Sequence, residues 1–223
     1  LVLAACSSLQ ARDFDKLFWD STIRIDYVLG GNVNGSAVFV DGINKSAGWY
    51  GRRVNMSRPP LLGNGQLYMT DPATGDTIYA NSFTTLYLEW LATPESRLLS
   101  RSFEHPMLVP MPKQPADVTM QLINMHQDVI ATTTFRLDPT DILIRQVGRT
   151  HLPYHYLGQQ HDPRKAIDIA ILPEGYTQDE MPLFQQDCAR ARQAILEHSP
   201  YDRFKDRFNF IVVEAPDLQS GNS

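Results

Sequence analysis

From Thr22 onward, apolar and polar residues alternate in short runs, and each run is closed by residues that turn a chain. Ile23, Ile25 and Tyr27 alternate with Arg24 and Asp26. A period of two sends one set of side chains to a buried face and the other to water, as in a half-buried strand. The same pattern predicts strands at 37–40, 66–69, 77–80, 117–123 and 129–135. Between them stand Gly30-Gly31, Asp41-Gly42, Pro59-Pro60, Gly63-Asn64-Gly65 and the Asp-Pro-Ala-Thr-Gly of 71–75. Glycine admits positive φ and proline removes a backbone donor, so such clusters end strands. Short strands punctuated this regularly predict an antiparallel β-sandwich, here over 21–148. Periodicity leaves 86–91, with Trp90, open between helix and strand. In the mixed lead before the sandwich, Phe14, Leu17, Phe18 and Trp19 form a short amphipathic turn or dock on the next domain.

After Gly148 the pattern changes. Residues 149–164 carry His151, Pro153, His155, Gly158, His161 and Pro163 without a period, and read as a linker. Residues 166–172 are apolar on both faces apart from Asp168, which suits a buried parallel strand. Thr177 followed by Glu180 fits a capping box, and Pro182 moves the start of the regular helix on by a few residues. Met181, Phe184, Cys188, Ala191 and Ile195 then recur on one helical stripe, opposite Asp179, Gln186, Arg190, Gln193 and Glu197. A second apolar strand follows at 208–213. Strand, helix and strand make a βαβ unit. One such unit leaves open edges and little core, so 165–223 is expected to be the truncated start of an α/β domain.

Charge excludes some functions. At a formal net charge of −5, with basic residues scattered, the chain has no footprint for nucleic acid. Apolar residues never run long enough for a membrane-spanning helix. The two cysteines differ. Cys188 lies on the apolar helix stripe, where a thiol behaves as a small hydrophobe. Cys6 ends Leu3-Ala-Ala-Cys6, a short apolar stretch with small residues like the tail of a secretory signal. That phrase resembles the lipobox of bacterial lipoproteins, whose cysteine is acylated. Residues 1–20 are therefore expected to be a signal remnant and linker, with lipidation at Cys6, a lipid anchor in the membrane and a place in the cell envelope. Cys188 would then have no disulfide partner within the chain.

Catalytic constellations are scarce. The chain has no His-Glu-x-x-His, no Gly-x-Ser-x-Gly and no Walker loop. His151 and His155 have metal-ligand spacing, but Pro153 lies between them; with His161 they read as linker histidines or an adventitious metal site. Asp168 and Glu174 stand near the end of the predicted parallel strand, where α/β proteins place functional groups, or serve to hydrogen-bond the loop. Trp49, Tyr50, Tyr68, Tyr79 and Trp90 pack a sandwich core or line a saccharide or peptide groove. No residue is assigned as catalytic or metal-binding.

Several phrases carry a resemblance. Ile23-Arg-Ile-Asp-Tyr27, Gly48-Trp-Tyr-Gly-Arg-Arg53, the Pro-Leu-Leu-Gly-Asn-Gly-Gln of 60–66, Ser100-Arg-Ser-Phe-Glu104 and Asp141-Ile-Leu-Ile144 occur in order. They are similar to the N-terminal domain of the IgA-peptidase-like zinc metallopeptidases, metallopeptidase family 64. The second region matches through the Ile-Asp-Ile-Ala-Ile-Leu-Pro-Glu-Gly-Tyr-Thr of 167–177, Phe184, Asp187, Arg207-Phe-Asn209 and Ser220-Gly221. The resemblance implies a secreted or surface bacterial protein with a β-sandwich ahead of a zinc peptidase domain. It implies zinc on a downstream His-Glu-x-x-His helix in the full-length parent and a protein or peptide substrate. None of those zinc positions is in this sequence, so no cofactor is expected in the chain itself. A non-catalytic surface lipoprotein with a protein- or glycan-binding sandwich is the alternative, and a hydrolase using Asp168 or Glu174 a third.

Overall fold

The computed structural model describes residues 13–59, 61–147, 152–163 and 165–221. Cys6 and His151 lie outside them. The backbone separates into two compact units, one ending at Gly148 and the other beginning at Arg149.

The front unit is a β-sandwich built on one long strand. A short helix α1 (Phe14–Leu17) leads into β1 (Phe18–Asn32), whose inward residues Ile23, Ile25, Tyr27 and Leu29 are all buried. At roughly 1.5–3 kcal/mol for each such side chain, this one alternation is a large part of the drive to fold. β1 pairs antiparallel with β2 (Gly35–Ala47) on one side and with β5 (Arg101–Pro112) on the other. A two-residue β8 (Arg145–Gln146) completes the sheet in the order β5-β1-β2-β8. The second sheet has the order β4-β3-β6-β7, from β3 (Gly65–Thr70), β4 (Thr77–Phe83), β6 (Ala116–Ile123) and β7 (Val129–Leu137). Leu67, Met69, Val118 and Met120 from this sheet join Ile23, Ile25 and Val109 from the first in one core.

Two elements differ from the sequence expectation or complete it. Residues 101–112 carry Pro106, Pro110 and Pro112, which argue against a strand, yet they form β5. β5 is at the edge of its sheet, where a missing donor breaks no ladder. Pro106 and Pro110 are an even number of residues apart, so their ring nitrogens fall on the same side of the strand. Residues 86–91 form the helix α2 (Leu86–Leu91): the Leu88 N–H donates to Thr85 Oγ1 at 3.0 Å, and Tyr87 and Trp90, three apart, both turn inward.

The second unit is a small α/β assembly. β10 (Ile167–Ile171) and β11 (Phe208–Val213) run parallel, joined through α3 (Met181–Glu197), so the expected βαβ unit is present. Its remaining strand corrects the linker reading of 149–164: β9 (Tyr154–Tyr156) lies inside that segment and pairs antiparallel with β11. Three residues are too few to display a period. β10 also differs from the buried strand expected of 166–172. It is the edge of the order β10-β11-β9: Asp168 and Ala170 are exposed on the face opposite Ile171, which packs against α3, and Ile167 at the strand's start is exposed as well. On α3 the buried residues are Met181, Phe184, Cys188 and Leu196, while Ala191 is exposed. A 3.6-residue repeat brings position 192 under the stripe instead, and the Arg192 guanidinium lies over the Phe210 ring at 5.8 Å.

Candidate functional site

The carboxyl ends of β10 and β11 bring together the most distinctive phrases of the second unit. Beyond β10, Gly175 takes φ +77, a conformation that favours glycine, and reverses the chain. Thr177 then opens a 3-10 turn over Gln178–Glu180 before α3 begins at Met181, as the capping box and Pro182 predict together. Glu180 Oε2 accepts from the Thr177 backbone N–H at 2.9 Å and from Thr177 Oγ1 at 2.8 Å. Its other oxygen accepts from Ser220 Oγ at 2.6 Å. The segment after β11 returns to the same place: Asp217 N donates to Tyr176 O at 2.8 Å and Gly221 N to Gly175 O at 2.9 Å. The Glu-Gly-Tyr-Thr turn and Ser220-Gly221 are therefore two halves of one latch. Asp217 belongs to it as well, although nothing in the sequence pattern marks it.

The latch is acid-sensitive in a direction the hydrogen bonds fix. The Ser220 hydroxyl, and then the Thr177 amide and hydroxyl, hold the Glu180 carboxyl below its ordinary value. A depressed carboxylate contributes stability that is present above the usual glutamate range and is lost as pH falls through the lowered value. Following the Glu180 and Gly221 amide resonances against pH should give a midpoint below that of free glutamate, abolished by Glu180→Gln. A midpoint at or above the ordinary value would show that the latch does not form. Next to it, the Tyr176 hydroxyl donates to Asp187 Oδ2 at 2.7 Å, which lowers the Asp187 carboxyl and raises the Tyr176 phenol. Burial, with Asp187 beside it, pushes the Cys188 thiol up.

Among the described residues, the carboxylates and histidines singled out in the sequence do not converge. Asp168 Oδ1 accepts from Asn209 Nδ2 at 2.7 Å. Asn209, fully buried, also accepts from the His161 backbone N–H at 2.7 Å and donates to His161 O at 3.0 Å. Asp168 and His161 thus serve a clamp that ties the 161 loop across the two parallel strands. His155 lies on β9 with Nδ1 3.2 Å from Glu214 Oε1, and Glu174 is exposed in the turn. Among the described residues no three His, Cys, Asp or Glu side chains are grouped to hold a metal ion. They do not fit the zinc that the family resemblance implies.

In the front unit the aromatic residues divide. Trp90 is core, its Nε1 donating to Glu95 Oε2 at 2.6 Å, and Tyr68 lies half-buried beside Gln66. Trp49 and Tyr79 are core as well, and with Tyr50 they border a recess of about 440 Å³, with Asn81 and Leu108 in its wall. The Trp49 ring packs edge-on against Tyr79 at 5.9 Å, while Tyr50 is 66% exposed. The Gly48-Trp-Tyr-Gly-Arg-Arg53 phrase builds this corner. Trp49 Nε1 donates to Arg52 O at 3.1 Å, and a Cβ on Gly51 would stand 2.2 Å from the Trp49 ring. The Arg52 guanidinium donates to the carbonyls of Asn55, Arg58, Met56 and Ala80, closing the 52–58 loop onto β4. Arg53 clasps Asp20 at 2.5 Å and lies over the Phe14 ring. The phrase is a structural corner whose one outward aromatic is Tyr50.

Comparison with known proteins follows the same division. The family model described as the Peptidase M64 N-terminus matches residues 13–134, and the one described as IgA Peptidase M64 matches residues 156–223. No curated protein matches the chain. The first match falls on the sandwich and the second on the α/β unit, and over more than half of the sequence they establish that this chain belongs to the M64 peptidase family.

Proposed function

We propose that this chain is the N-terminal portion of a secreted or surface-anchored bacterial zinc metallopeptidase that acts on a protein or peptide. The observation that carries this reading is the order of the two family matches, an N-terminal model on the sandwich and a peptidase model on the α/β unit. In this reading the sandwich and the β10-α3-β11 scaffold are supplied here. The His-Glu-x-x-His zinc site, in which two histidines bind the metal and the glutamate activates its water, is supplied by polypeptide outside these residues. Cys6 carries the lipid that holds the protein in the cell envelope. No helix of the described residues is long and apolar enough to cross a membrane. Residues 1–223 purified alone should bind no stoichiometric zinc and cleave no peptide. The product of the extended reading frame should bind one equivalent and lose activity to a chelator. Mass spectrometry of the envelope fraction should find the acyl groups on Cys6. Tight zinc binding by residues 1–223, or a stop codon directly after Ser223 in a stably expressed gene, would sink the peptidase reading.

The recess bordered by Trp49, Tyr50 and Tyr79 favours a second reading, a surface lipoprotein whose sandwich binds a protein or glycan. Glycan-array and pull-down experiments with the front unit that capture nothing would remove it.

A further inference from the structure

Four side-chain polar atoms among the described residues are buried without a hydrogen-bond partner: Tyr27 Oη, Asn64 Oδ1, His105 Nε2 and Arg192 Nε. Two of them are on residues directly opposed across β1 and β5, where Tyr27 pairs with His105. Opposed residues of an antiparallel pair share a face, with their Cβ atoms about 4.5–5.5 Å apart. Tyr27 is 1% exposed, so its hydroxyl reaches no bulk solvent. The His105 imidazole stacks on Phe83 from the other sheet, with centroids 4.6 Å apart at 29°. Phe83 in turn lies flat on Gly65, where a Cβ would come within 2.2 Å of the ring. Asn64, the third residue with an orphan atom, immediately precedes that glycine.

A buried hydroxyl left without a partner lowers the folding equilibrium constant by roughly ten- to a hundredfold, so native proteins satisfy such groups with protein or with ordered water. A bridging water needs two or more polar partners. We propose that Tyr27 Oη and His105 Nε2 hold one internal water between them, and that this bridge fixes the edge strand β5 against β1. The hydroxyl donates to the water, and the water donates to the imidazole nitrogen. That requires a neutral ring with its proton on Nδ1.

The bridge makes the strand pairing proton-sensitive, since a protonated imidazole has no acceptor at Nε2. Burial already holds His105 below the ordinary histidine range, and no charged neighbour contributes to that shift. Tyr27 is the titratable group facing it from β1, and Phe83, from β4, carries no charge. Because the folded value is depressed, the stability His105 confers is complete above the ordinary range. It is lost as pH falls through that range toward the folded value.

The sign of one substitution tests the bridge. The three tryptophans, Trp19, Trp49 and Trp90, all lie in the front unit, so their fluorescence reports its unfolding by denaturant in the full chain. Near pH 7.5, Tyr27→Phe should lower the folding equilibrium constant about tenfold, and should have little effect in a His105→Phe background. Between about pH 7.5 and 5.5 the native protein should lose stability, and His105→Phe should flatten that slope. Unchanged or increased stability in Tyr27→Phe is the outcome for a hydroxyl that merely lacks a partner, and it overturns the proposal. Strict additivity of the two substitutions overturns it as well.

Discussion

Produced alone, residues 149–223 are expected to give no sharp calorimetric transition, whereas residues 13–147 should melt cooperatively. Among the described residues the second unit buries six apolar side chains (Met181, Phe184, Cys188, Leu196, Phe210 and Val212) in a unit of 75 residues. The described residues of the front unit bury twenty-six in a unit of 148. Ordering each residue costs roughly 1–2 kcal/mol in backbone entropy, so a unit with less than half the buried apolar density has little to set against that cost. Its sheet compounds the shortage. α3 covers one face, while Ala170 and Leu172 at β10 and Tyr154 at β9 stand exposed, and parallel strands are ordinarily covered on both faces. In the proposed reading, further polypeptide of the same peptidase region supplies that cover. A single sharp transition for 149–223, with an enthalpy fitting its size, would show that the unit is self-sufficient.

The largest single-residue effect is expected at Trp49. It is 7% exposed, packs edge-on against Tyr79, and holds the Arg52 carbonyl through its indole N–H. Truncating a buried tryptophan costs roughly 3–5 kcal/mol, from lost transfer energy and from the cavity left behind. Trp49→Ala also removes the ring against which Gly51 is fitted, so the 52–58 loop should lose protection from hydrogen exchange along with global stability. The measurement is denaturant unfolding with exchange mass spectrometry on the same variant. A loss below about 1 kcal/mol, with the loop still protected, would mean that the Arg52–carbonyl bonds hold the corner without the indole.

Much of the sandwich is legible because its residues obey one rule: Ile23, Ile25 and Tyr27 point inward, and Arg24 and Asp26 outward. The rule fails at 101–112, where local chemistry opposes a strand and only the position at a sheet edge, a property of the whole fold, makes the prolines acceptable. It is silent at 154–156, because β9 exists only through its pairing with β11 fifty-five or more residues later. The capping box at Thr177 and Glu180 is readable because both residues bond locally. The third partner, Ser220, is not local, and only the family phrase Ser220-Gly221 points to it. Asp168 bonds not the loop but Asn209 on the neighbouring strand, and Asn209 looks in sequence like any residue of an apolar strand. Burial, which turns Asn209 into a clamp, is decided by the folded chain.

The prolines of β5 have a further consequence, for how this molecule behaves at high concentration. A sheet edge with a full row of donors and acceptors is a template on which another chain can add a strand, the first step toward ordered aggregates. Along β5, Pro106 and Pro110 delete donors from one side of the strand, and Pro112 ends it. A foreign strand laid there would find gaps in its ladder. The opposite sheet has edges at β4 and β7, neither of which contains a proline. Of the sandwich's two sheets, the one built on β1 is thus blocked at β5 against growth by strand addition, while β7 relies on the exposed polar side chains of Thr132, Thr134 and Arg136.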